Sequence, residues 1–353
     1  MSATSLTAWL SSAAAAAATF AATWLLARLA PQVGWIDAGD GARKLQRDPL
    51  PLVGGVAIAL GLALAWGPCG LERFDGRALD ALLAAAPRLH TAGGEGLSLR
   101  PIPAAVWAAP ALIVALMVGL VDDLLPRGLR PLSKLGGQAL AGLVLAGPCI
   151  AAGRIGPALL LVAGTLVALN ALNTYDNADG AAAGLAWIAF LPVLPIASAA
   201  LTGFLPFNLR RADGRSVVGR LPRAILGDAG SHLLGMLILL TPSAWPALAL
   251  PLLDLVRVCV ERVRAGQRPW VGDRRHLAHR FQQRGLSPLL VTLLLALTAL
   301  PSAVAGRAGG AFSGDLALLG IAATAGLFGL GTWLSRPPAP TRLARRPDFE
   351  LGT

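Results

Sequence analysis

The chain predicts an all-α fold, a polytopic bundle of about 9–11 membrane segments whose chemistry gathers on loops and helix ends. Three observations predict it. Of 353 residues, 55% are hydrophobic and only 14% charged, where a soluble domain carries roughly 25% charged residues. Apolar windows of about 20 residues, the length that crosses a ~30 Å hydrocarbon core, recur along the whole sequence. The remaining charge is sorted into loops between those windows.

Taken in order, windows at 6–30, 52–68, 104–121, 134–152, 155–172, 287–306 and 314–334 read as single spans. The first lacks the basic n-region of a cleavable signal and reads as a retained span. Stretches 181–206 and 231–256 are each long enough for one crossing, yet they connect loops that must share a face. Each is therefore expected as a short or re-entrant hairpin, turned at Pro192/Pro195 and at Pro242, with neighbouring helices protecting its backbone. No soluble domain interrupts the series. Residues 1–335 read as one integral membrane domain and 336–353 as a basic tail.

The net charge of +11 raises nucleic acid as a partner, but the charge lies between spans. A lipid bilayer with anionic head groups, and no nucleic acid, is the better reading. The 257–284 loop carries eight arginines against Glu261 and Asp273, and the 208–228 loop five against two aspartates. Residues 69–103 balance four arginines with four acids. The positive-inside rule then places 69–103 outside, and the loops around 31–51, 122–134, 208–228 and 257–284 in the cytoplasm with the C-terminal tail. Cys69, Cys149 and Cys259 are odd in number, form no CxxC pair and read as small apolar fillers.

Residue bias marks the candidate chemistry. Lys44 and Lys134 are the only lysines among 30 basic side chains. All four asparagines and the single tyrosine lie at the ends of apolar runs, four of the five within NALNTYDNADG and Asn208 in GFLPFN. In the first motif Asn170, Asn173, Asp176 and Asp179 recur every three residues and would form one stripe on a continuing helix. VGLVDDLL puts Asp122 and Asp123 at the end of a span, and LGDAGSHLLG puts Asp228 before a new one. Alone, Asp228 reads equally as a helix N-cap, Asp179-Gly180 as a helix-ending turn, and Asp122-Asp123 as solvated interface charge. Three such clusters on one face suit the binding of Mg²⁺ and a polyphosphate through hard oxygen ligands.

PWVGDRRHLAHRF adds Asp273, His276, His279 and Arg280, which one helical turn can present to an anion. Zinc is the competing reading of HxxH, but a third ligand and an HExxH motif are lacking. His90 and His232 read as structural, and Trp270 as an interfacial anchor.

Together these segments resemble the polyprenyl-phosphate N-acetylhexosamine-1-phosphate transferase family. The resemblance runs from about Asp37 to Ser287 in six ordered parts: RKLQRDPLPLVGG, VGLVDDLLPRGLRPLSKLGGQ, NALNTYDNADG, GFLPFN, AILGDAGSHLLG and the segment ending in PWVGDRRHLAHRF. It implies transfer of a sugar 1-phosphate, GlcNAc-1-phosphate in the first instance, from a UDP-N-acetylhexosamine to undecaprenyl phosphate. UMP would leave, and Mg²⁺, with Mn²⁺ as substitute, would be required. It further implies a multi-pass protein of the inner (plasma) membrane with a cytoplasmic active site, catalysing the first membrane step of a cell-envelope polysaccharide pathway, and it leaves a homodimer open.

Residue by residue, the resemblance implies Asp228 as a metal ligand with Asp123. It sets Asp122 and Asp123 near the acceptor phosphate and Asp176 and Asp179 in phosphate positioning. Lys44 and Lys134 would contact the pyrophosphate and Asn173 and Asn208 the nucleotide, while His276, His279 and Arg280 would form the final-loop site. Departures are Asn177 for a usual Gly, Ala278 within the histidine motif, Gln46 and Leu52 in the first loop, Ile225 at an often aromatic place, and an apparent insertion at 209–223. Two rival readings are a secondary transporter of anions, whose matching halves the sequence lacks, and a non-catalytic relative.

Overall fold

The computed structural model of the protein describes residues 3–37, 49–66, 104–211, 213–269, 274–308 and 314–335. Lys44, Trp270, Asp273, the 69–103 loop with Cys69 and His90, and the tail from residue 336 lie outside the described residues.

The architecture is the expected all-α membrane bundle. Helices α1 (Ala3–Leu29), α2 (Gly54–Trp66), α3 (Ala104–Leu124), α4 (Pro131–Ala151), α5 (Ile155–Tyr175), α6 (Ala181–Phe190) and α7 (Pro195–Asn208) precede the central α8 (Gly227–Leu239). A 3-10 turn at Pro242–Leu248 leads into α9 (Ala249–Arg264), followed by α10 (Leu277–Gln283), α11 (Pro288–Ala308) and α12 (Gly314–Leu334). Among the described residues, six helices are long and apolar enough to cross a bilayer, and Gly54–Ala65 and Ala181–Phe190 are shorter apolar helices.

Helix α8, GDAGSHLLGMLIL, is apolar around nearly its whole circumference and is therefore buried rather than lipid-facing. It packs against α2, α3, α5 and α6. Small residues allow this close approach: a Cβ on Gly55 would overlap the backbone at Ala229 and Gly230, and one on Gly119 the Asp228 carbonyl. Without a hydrophobic drive between helices in lipid, such backbone proximity is what van der Waals packing exploits.

The 181–206 stretch is a helical hairpin. α6 and α7 pack together, and their outer ends meet where Asn208 Oδ1 accepts a hydrogen bond from Gly180 N at 2.9 Å. The reversal falls at residues 191–194, between Pro192 and Pro195, where the chain leaves helical hydrogen bonding. In the 231–256 stretch α8 ends at Leu239 and the 3-10 turn from Pro242 leads into α9; Pro242–Arg264 is long and apolar enough for one candidate span, where a short hairpin was expected.

Two short strands, β1 (Ile36–Asp37) and β2 (Leu50–Pro51), pair antiparallel and close the base of the loop that contains Lys44. Pro51 O accepts from Ile225 N at 2.9 Å, and Gly54 N donates to Ile225 O at 3.1 Å. The base of the first loop is thereby tied to the segment that delivers Asp228.

Candidate active site

Apolar runs bury their length against one another, so the polar residues that interrupt them gather where the runs stop. Here the end of α3, the start of α4, the end of α5 and the start of α8 converge. Asp228 is the focus. Its Oδ1 accepts from Asn173 Nδ2 at 2.7 Å, and its Oδ2 is bonded by the Lys134 ammonium. The same ammonium lies 3.4 Å from Asp122 Oδ2, while Asp122 Oδ1 accepts from Leu129 N at 2.7 Å and organises the turn between α3 and α4. One lysine is thus shared by carboxylates from two helices.

Asp123 has a different task. Its Oδ1 accepts from Asp228 N at 2.8 Å and its Oδ2 from Ala229 N at 2.9 Å. A carboxylate of α3 therefore caps α8, satisfying N–H groups that a helix start leaves orphaned and complementing the positive end of its dipole. Gly227 turns the chain into α8 with φ +73°, and a Cβ there would come 2.6 Å from Asp123 Oδ2. Asp123 was expected to join Asp228 on a metal; the carboxylate that shares Lys134 with Asp228 is instead Asp122. Asp228 is not the cap of its own helix.

A polar floor lies beneath. His232, fully buried, approaches Asp228 O with Nδ1 at 2.6 Å. A carbonyl only accepts, so Nδ1 carries the proton and Nε2 takes a hydrogen bond from Gln138 Nε2 at 2.8 Å. Gln138 Oε1 in turn accepts from Asn170 Nδ2 at 2.6 Å. The chain links α8, α4 and α5 directly under the carboxylates.

The stripe expected along a continuing helix is broken. α5 stops at Tyr175, where Asn177 Nδ2 donates back to Thr174 O at 2.9 Å and Gly180 takes φ +77°. Asn173 reaches Asp228, whereas Asp179 turns toward the 209–223 loop. Its Oδ1 accepts from an Arg223 guanidinium nitrogen at 2.7 Å, and its Oδ2 lies 2.9 Å from Arg210 Nε. Asp176 N donates to Leu172 O at 2.9 Å. Asn208 is 2% exposed and uses both ends of its amide, accepting from Gly180 and donating to Ala224 O at 3.2 Å. The structure gives it the closure of the hairpin and does not bring it to the carboxylate cluster.

The final-loop residues form a second cluster. His276, buried, places Nδ1 2.8 Å from Asp254 Oδ2. Asp254 Oδ1 accepts from Arg257 at 2.7 Å and from Leu277 N at 3.2 Å. Arg280 is held by Glu261 at 2.6 and 2.8 Å. His279 sits one turn on, and burial, with Arg274 adding to it, pushes its imidazole down to about 4. Asp254 was missed by the sequence reading. Its signal was a single carboxylate inside the apolar run PLLDLV, which in a membrane segment calls for a partner. α9, which carries Asp254, packs against α5, which carries Asn173.

Among the described residues no three His, Cys, Asp or Glu side chains are grouped to hold a metal. Mg²⁺ rarely asks for such a cage; it takes one or two carboxylates and completes its octahedron from water and substrate phosphates. Asp228 and Asp122, already converging on one cation, fit that pattern; Asp123, with both oxygens committed to backbone N–H groups, fits it poorly.

The carboxylate–lysine cluster lies inside a segment of the chain that matches a known family. Residues 105–243, which include Asp122, Asp123, Lys134, Asn173 and Asp228, match the family described as glycosyl transferase family 4. The resemblance to that family is thus borne out over this segment. The chain is similar to the undecaprenyl-phosphate alpha-N-acetylglucosaminyl 1-phosphate transferase of Escherichia coli (strain K12), 29% identical over an alignment of 119 residues that covers 29% of this chain and 31% of that protein. The same-named proteins of Salmonella typhi (29% over 115 residues, 29% and 30% covered) and Yersinia pestis (30% over 109 residues, 26% and 30% covered) are also similar. The match spans about a third of the length of these curated relatives.

Proposed function

We propose that the protein transfers an N-acetylhexosamine 1-phosphate, GlcNAc-1-phosphate in the first instance, from a UDP-sugar to undecaprenyl phosphate with release of UMP. The observation that carries this reading is the sharing of Lys134 by Asp122 and Asp228 inside the segment that matches the family. Such a cluster suits a reaction in which a diphosphate is cleaved at a membrane surface, where catalysis is mainly positioning and charge stabilisation.

Mg²⁺, or Mn²⁺ in its place, would be held by Asp228 and Asp122 and would supply positive charge that stabilises the leaving UMP. Lys134 presents a compact ammonium to the diphosphate from the same place. Asn173 holds the Asp228 carboxylate in one orientation, and the His232–Gln138–Asn170 chain fixes the backbone beneath it. Asp254 orients His276 as a carboxylate orients a histidine in many sites. His276, His279 and Arg280 add a final-loop contribution to phosphate binding.

The test is product formation. Purified protein reconstituted with undecaprenyl phosphate is given UDP-N-acetylglucosamine, UDP-N-acetylgalactosamine or UDP-N-acetylmuramoyl-pentapeptide, and the lipid fraction is weighed by mass spectrometry. A lipid diphosphate bearing one hexosamine is expected with the first donor. Lipid unchanged with all three donors would sink the reading.

A further inference from the structure

We infer that the α6–α7 hairpin carries a binding groove for one anionic phospholipid of the surrounding bilayer, separate from the carboxylate cluster. A cavity of about 200 Å³ opens on the hairpin, lined by Trp187, Thr202, Leu205, Pro206, Leu209 and Val217. Its two polar groups satisfy each other, since Trp187 Nε1 donates to Thr202 Oγ1 at 2.9 Å, so the lining is effectively apolar. The lining follows the hairpin from Trp187 and Thr202, through Leu205 and Pro206, to Leu209 and Val217 at the polar end.

The register of that end supplies the charge. Arg210 bridges Ser216 in antiparallel fashion, with Val217 N donating to Leu209 O at 3.2 Å and Arg211 N to Arg215 O at 2.9 Å. Side chains alternate across such a pairing. Arg210 and Ser216 face inward, toward Asp179 and the Pro206 carbonyl. Leu209 and Val217 line the groove, and continuing the same alternation by one residue beyond the bridge puts Arg211 and Arg215 on their side. Both arginines are exposed, and the acid beside them, Asp213, lies 3.7 Å from Arg211 Nε. An apolar slot ending in two solvent-facing arginines matches an acyl chain ending in a phosphate, and basic pockets at the ends of membrane helices favour anionic head groups. Charge complementarity thus selects an anionic lipid over a zwitterionic one.

The test uses the full-length protein in phosphatidylcholine nanodiscs, doped with phosphatidylglycerol brominated on its acyl chains or with brominated phosphatidylcholine. Trp187 emission is isolated by subtracting the Trp187→Phe variant. Stronger quenching by the brominated phosphatidylglycerol is expected. Its half-point should shift roughly 30-fold in Arg211→Gln/Arg215→Gln, the effect of removing two cations from an anionic contact. Val217→Trp should abolish the quenching by filling the slot. Equal quenching by both lipids, or an unshifted half-point in the double variant, would overturn the inference. So would displacement of phosphatidylglycerol by equimolar undecaprenyl phosphate, which would make the groove an acceptor site. None of these readouts depends on transferase activity.

Discussion

Replacing Lys134 by arginine keeps the charge and changes its shape, and the structure says what that costs. The ammonium contacts Asp228 and lies 3.4 Å from Asp122, two carboxylates approaching from different helices. A compact ammonium can serve both, whereas a planar guanidinium prefers one carboxylate held bidentate and carries its charge centre farther out. At an effective dielectric of about 20, a unit pair 3.4 Å apart interacts by about 5 kcal/mol, and moving the charge ~1 Å outward removes about 1 kcal/mol per carboxylate. Two carboxylates give about 2 kcal/mol, of which the fork regains part. The expected result is a loss of turnover of at least about tenfold, or ~1.4 kcal/mol. UMP release under saturating donor and acceptor is the assay. Arg127→Lys and Arg130→Lys, both exposed in the adjacent turn, should cost little. Equal tolerance at all three positions would refute the idea that the shape of Lys134 matters.

Other consequences are open to measurement. Asp123→Asn keeps one acceptor for the N-terminus of α8, so it should lose about 1 kcal/mol of stability and retain most turnover; a loss of activity as deep as that of Asp228→Asn would restore Asp123 as a metal ligand. Asp254→Leu leaves His276 without its carboxylate and Arg257 with Glu261 alone, and should lower unfolding stability by about 3 kcal/mol, with Asp254→Asn milder in a thermal melt. His279 has a folded-state value of about 4, below the ordinary 6.5, so burial favours its neutral form. Its contribution is therefore complete above pH 6.5 and is lost as pH falls through 4. His279→Gln should flatten the stability–pH curve in that window by on the order of 1 kcal/mol, and an unchanged curve would contradict the assignment.

Much of this architecture is legible in residue order alone. The apolar windows, the reversal between Pro192 and Pro195, and the gathering of Asn173, Asp228, Asp122 and Lys134 at helix ends all follow from where polar residues interrupt apolar runs. What the sequence leaves undecided is direction. Asp122 and Asp123 are neighbours, and successive residues on a helix point about 100° apart, so one meets Lys134 and the other the backbone of α8. Which does which depends on how α3 is rotated against α8, and the Gly119 contact sets that rotation. The stripe from Asn170 to Asp179 failed for a local reason: its last members are turn formers, and Asp179 finds two arginines in a loop thirty or more residues away. His232 reads as an ordinary helix-start residue until Gln138 and Asn170 arrive from other helices. Asp254 was visible as a lone acid, but its partner His276 lies across a loop whose path no periodicity reveals.

The central claim is that the carboxylates around Lys134 hold a cation against a diphosphate. UMP release by purified protein, titrated with Mg²⁺ in the wild type and in Asp228→Asn, tests it most directly. The account predicts release that requires both undecaprenyl phosphate and Mg²⁺, stops with chelator, and in the variant falls by orders of magnitude with a raised metal requirement while the protein stays folded. Wild-type release that persists in chelator, or a variant with the wild-type metal titration, would contradict it.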